Sequence, residues 1–91
     1  MNIHAAITVQ GLVQGVGYRW FANQHAQKLN LKGFVENKFD GTVYLEVEGD
    51  RSLVEELITQ LKIGPRNSQV KDIHVEWKEP KNLFLKFIIK A

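Results

Sequence analysis

Gly11-Leu12-Val13-Gln14-Gly15-Val16-Gly17-Tyr18-Arg19 is the stretch on which the fold turns, because two periodicities meet in it. Before it, Ile3, Ala5, Ile7 and Val9 alternate with His4, Ala6, Thr8 and Gln10, the period of two that marks a strand with one buried face. After it, Tyr18, Ala22, His25, Ala26 and Leu29 recur at helical spacing to about Asn30, a residue suited to a left-handed helix end. Three of the chain's seven glycines lie between positions 11 and 17. The connection is therefore a strand-to-helix loop with torsions that other residues avoid.

Working outward, Phe34 to Asn37 reads as a second strand and Asp40-Gly41 as a hairpin turn. Thr42 to Glu48 gives a third strand, with Val43, Leu45 and Val47 facing in and Thr42, Tyr44, Glu46 and Glu48 facing solvent. Gly49 turns the chain and Asp50 caps a second helix, whose stripe is Leu53, Val54, Leu57, Ile58 and Leu61 and whose end is Gly64-Pro65. Val70 to Trp77 supplies a fourth strand, and Leu83, Leu85, Phe87 and Ile89 a last one. The order predicts an α+β ferredoxin-like sandwich, βαββαβ plus a short fifth strand, with two helices on one face of an antiparallel sheet. In that topology the exits of strands one and two share one end of the sheet. The glycine loop and Asn37 therefore meet there.

The 91 residues suffice for a single domain, 1–91. With 44% apolar and 24% charged residues the composition is that of a globule, not a disordered chain. No cysteine is present, which excludes disulfides, thiolate zinc sites and a catalytic thiol. The net charge of +2 does not predict a polyanion partner. Met1 to Val13 lacks the basic start of a signal segment, and no run approaches the ~20 apolar residues of a membrane span. A soluble, cytoplasmic, monomeric protein with neither membrane nor nucleic-acid partners is expected.

Free amides at a helix start, together with the helix dipole, make a site for an anion. Arg19 sharpens that reading, since a cation in the first helical turn opposes the dipole at a cost of ~0.3–1 kcal/mol. A bound anion reverses the penalty, and the guanidinium fork suits phosphate. The alternative is a plain tight turn with a solvated arginine. Neither known phosphate loop fits: a Walker A segment needs Gly-Lys-Ser/Thr at the helix start, and the dinucleotide pattern needs a glycine where Trp20 stands. Likewise Asn37, at a strand end, reads by itself as a turn former.

The loop resembles the signature of the acylphosphatase family, a Val-Gln-Gly-Val turn ending in an aromatic residue and an arginine. The family's second signature is matched by Gly33-Phe34-Val35-Glu36-Asn37 followed by Asp40-Gly41-Thr42-Val43. Phe34 departs from the commoner Trp, and Glu36 from a basic or polar residue. The likeness spans nearly the whole chain. It implies hydrolysis of the carboxyl–phosphate bond of acyl phosphates, with no metal and no cofactor. Residues Gln14, Gly15, Val16, Gly17, Tyr18 and Arg19 would bind the phosphoryl group, and Arg19 and Asn37 would be catalytic, Asn37 orienting the attacking water. Inorganic phosphate would be product and competitive inhibitor.

Among the remaining residues, His4, His25 and His74 lack ligand spacing, and Glu55 and Glu56 favour the dipole of the second helix. Trp20, Phe21 and Trp77 are expected as core or rim aromatics, while Tyr18 and Phe39 flank the site against an acyl group. A ferredoxin-like sandwich also serves RNA-binding modules. Here strand one has no aromatic residue, and Val35 breaks the signature begun by Lys32-Gly33-Phe34. A noncatalytic phosphate sensor, or a domain serving a larger system, is a further rival.

Overall fold

The computed structural model describes residues 1–91. The elements are β1 (Asn2–Leu12), α1 (Tyr18–Lys28), β2 (Lys32–Asn37), β3 (Val43–Asp50), α2 (Arg51–Ile63), β4 (Gln69–Lys78) and β5 (Phe87–Ile89). They build one five-stranded sheet in the order β4-β1-β3-β2-β5. All neighbours pair antiparallel except β2 and β5, which run parallel. The ferredoxin-like arrangement holds, and the one parallel pair follows from topology. β4 and β5 occupy opposite edges, so the chain must cross the whole sheet before it pairs again.

The core lies between the sheet and both helices. Ala5, Ile7, Val9, Val35, Val43, Leu45 and Val47 from the strands meet Ala22, Ala26, Val54, Leu57 and Leu61 from the helices. Such burial of aliphatic side chains, at ~1.5–3 kcal/mol each, is the chief stabilising term in a domain of this size. Asn30 has φ 56°, as a left-handed helix end requires.

Four expectations change. Gly49 is no turn: β3 runs through it to Asp50, pairing Gly49 with Ile3, and Leu31 packs where a side chain at Gly49 would stand. Glu55 and Glu56 lie beyond the first turn of α2, and Glu55 instead pairs with Arg51 at 3.1 Å. Leu83 and Leu85 are exposed and outside β5, because residues 79–86 form an irregular strap rather than a strand. That strap reaches the sheet face opposite the helices, so Glu48 is not solvated there but buried. Its carboxylate accepts from the Lys81 and Asn82 amides and from His4, which is fully buried and stacks on Phe84. Burial alone would raise the Glu48 carboxyl; the bonds from Lys81, His4 and Asn82 overcome it and hold it below the usual range.

Candidate active site

The turn from β1 into α1 depends on two left-handed glycines. Gly15 has φ 75° and Gly17, at the helix N-cap, φ 78°. A Cβ at either would meet nothing within 4 Å, so the torsion and not the space demands glycine. No side chain caps α1, and no acidic residue lies in its first turn. The backbone N–H groups of Gly15 through Arg19 donate to no protein acceptor; the first helical bond is Phe21 N–H to the Gly17 carbonyl, 3.0 Å. The result is an uncapped, positively polarised helix end.

Three strand exits converge on this loop. β1 leads into it, β2 ends there at Asn37, and β5, parallel to β2, ends there at Ile89. A cleft of about 230 Å³ is lined by Gly15, Gly17, Arg19, Trp20, Asn37 and Ile89, together with the buried Val13 and Tyr18. Arg19 and Asn37, expected to meet from topology, do so. The Asn37 side chain makes no hydrogen bond within the protein, so the turn-forming role is not the one it takes. That role falls to Asp40, whose carboxylate accepts from the Thr42 hydroxyl at 2.7 Å and the Thr42 amide at 3.0 Å. Those bonds hold the Asp40 carboxyl below its usual range.

Arg19 forms no ion pair. Its Nη1 donates to the Lys90 carbonyl at 2.8 Å, which fixes one arm of the fork and leaves the other donors free. The sequence holds no sign of this partner, 71 positions away, because any residue offers a backbone carbonyl. Glu36, next to Asn37, is paired with Lys38 at 2.9 Å, which offsets its charge beside the cleft.

The other expected residues divide. The Gln14 side-chain amide donates to the Lys38 and Thr42 carbonyls, both at 2.8 Å. It ties the loop to the β2–β3 connection, which takes up the Nε2 donors of Gln14 within the protein, and Gln14 does not line the cleft. Val16 packs against the core. Tyr18 does not flank the site with its ring: it is buried, its hydroxyl donates to the Leu61 carbonyl at 2.7 Å, and burial pushes the phenol up. Phe39 stands fully exposed and outside the cleft lining. The apolar groups in their place are Trp20 and Ile89. No three His, Asp or Glu side chains are grouped to hold a metal ion, and no helix is long and apolar enough to cross a membrane.

Fold and cleft have clear counterparts. The model of the Acylphosphatase family matches residues 5–89. An acylphosphatase of Thermococcus kodakarensis is 42% identical over 82 residues, covering 90% of each chain. One of Salinibacter ruber is 38% identical over 89 residues, covering 98% of this chain and 92% of that one. The crystal structure of acylphosphatase from Bacillus subtilis superposes with a TM-score of 0.95 at 34% identity, over 98% of this chain and 99% of that one. The chain belongs to the acylphosphatase family, and it is an enzyme of that family.

Proposed function

We propose that this protein hydrolyses acyl phosphates to carboxylate and inorganic phosphate without a metal ion, using the loop amides, Arg19 and Asn37. The observation that carries the reading is the convergence of an uncapped helix start, an arginine with no carboxylate partner and an asparagine with no internal bond on one cleft.

The phosphoryl oxygens take the amides of Gly15 to Tyr18 and the free arm of Arg19. Asn37 holds a water in line with the bond to be broken. The water oxygen bonds to phosphorus as the phosphorus–oxygen bond to the acyl group breaks, and the electron pair leaves on the carboxylate. The conjugate acid of that leaving group has a pKa of roughly 4, so no general acid is needed. The water's proton passes to a phosphoryl oxygen of the substrate. Phosphoryl transfer of this kind asks mainly for positioning and a preorganised positive field, which the loop and Arg19 supply. Inorganic phosphate, being the product, fits the same cradle and competes. The protein acts as a monomer on a small molecule.

The test is phosphate release from benzoyl phosphate in excess EDTA. Activity should persist. Arg19→Ala should lower kcat/KM about 10³-fold and Asn37→Ala about 10²-fold, both with unchanged circular dichroism. An Asn37→Ala enzyme at full rate removes the water-positioning role, and abolition by EDTA removes the metal-free mechanism.

A further inference from the structure

The cleft has two walls of different chemistry. One is the glycine loop with the guanidinium; the other is an apolar wall of Trp20 and Ile89. Trp20 leaves 62% of its surface exposed and Ile89 40%, although each follows or precedes a residue fixed by the Arg19–Lys90 bond. The same contact that sets the guanidinium thus places an apolar surface next to it, one half from α1 and the other from β5. Most of the indole is left uncovered by the rest of the protein. The two aromatic side chains expected from sequence to meet an acyl group, Tyr18 and Phe39, are buried against Leu61 and turned to solvent.

We infer that Trp20 and Ile89 form the acyl-group subsite, and that the preferred substrates are acyl phosphates carrying a flat apolar substituent, an aryl group above all. This rests on the reading of the cleft as an acyl phosphate site. With the dianion held at the amides and Arg19, the acyl substituent is the part of the substrate left to meet the apolar wall. A ring lying on Trp20 removes apolar surface from water on both partners and gains the offset contact that aromatic pairs favour. An acetyl group has too little surface to do so. The substituent takes no part in the bond changes. Its contacts are therefore the same in ground and transition states and act on KM rather than on kcat.

The experiment compares benzoyl phosphate with acetyl phosphate in the wild type, Trp20→Ala, Trp20→Phe and Ile89→Ser. The same proteins are titrated calorimetrically with the non-hydrolysable benzoylphosphonate and acetylphosphonate. The expected result is a ratio of benzoyl to acetyl kcat/KM that falls about 10-fold in Trp20→Ala, through KM, and less in Ile89→Ser. Trp20→Phe should keep most of it. The binding preference for benzoylphosphonate should fall in parallel. A ratio within twofold of wild type in Trp20→Ala, or a wild type that binds the two phosphonates equally or not at all, overturns the subsite. Binding of both phosphonates with the aryl preference but hydrolysis of neither phosphate overturns the proposed function and leaves the subsite standing.

Discussion

The two helices of this chain begin in opposite ways. α2 starts closed: the Asp50 carboxylate accepts from the Ser52 amide at 3.0 Å and from the Ser52 hydroxyl. Its first-turn arginine, Arg51, is met by Glu55 at 3.1 Å and lies over the Trp77 ring at 4.3 Å. α1 starts open: Gly17 has no side chain to cap with, and its first-turn arginine meets only the Lys90 carbonyl. Each helix thus carries a cation at its positive end, and only one of the two is neutralised from within. An N-cap side chain is worth ~0.5–2 kcal/mol. α1 forgoes that stability and keeps free donors; in α2 the Ser52 amide is taken by Asp50 and the Arg51 amide by the Met1 carbonyl. The unmatched start is the one we propose as the phosphate site.

The largest effect that breaks or sharpens this contrast is on stability in phosphate. Inorganic phosphate at about 100 times its Kd should raise the unfolding free energy by ~2.7 kcal/mol. Arg19→Ala should lose most of that gain in urea titrations, whereas Arg51→Ala should keep all of it, and equal losses would erase the distinction between the two helix starts. Next in size, Gly17→Ala should cost about 1 kcal/mol through the left-handed torsion alone, with a matching loss of phosphate affinity. Unchanged stability in that variant would mean that the loop readily adopts another conformation.

The smallest effect belongs to α2. The Ser52 hydroxyl, the N-terminal ammonium and the Ser52 amide pull the Asp50 carboxyl down to about 2. Its folded value lies below its unfolded one of ~3.9. The stabilisation is thus present above that unfolded value and is lost as pH falls from about 4 through about 2. Asp50→Ala should lower Tm by a few degrees at neutral pH and flatten this acid limb, read by thermal unfolding across pH. Phosphate binding at neutral pH should not change.

Much of this contrast was legible in the residues. Asp50 and Gly17 announce a capped and an uncapped start, and Arg19 and Asn37 follow from motif and strand order, because hairpin and crossover rules bring their strand exits together. The other end of the chain was not legible. Leu83 and Leu85, two apart, imitate a strand, yet no strand pairs with them, and the ladder with β2 covers only Phe87 to Ile89. Nor did alternation reveal that His4 and Glu48 are buried on the outer face of the sheet. The cover there, Phe84 with the Lys81 and Asn82 amides, comes from an irregular segment that carries no period.

By itself the sequence determined whatever depends on neighbouring residues: the left-handed glycines, the two helix starts, the alternation of the strands and hence the element order. Tertiary structure decided which of those local features stay unmatched. Arg51 finds its acid four residues on, along one helix, whereas Arg19 is set by the backbone of Lys90, delivered by a strap that crosses the sheet so that β5 ends at the open helix start. Local torsion preferences act over a turn or two of chain; the partner of a charge is chosen by whatever the packed sheet carries to its side.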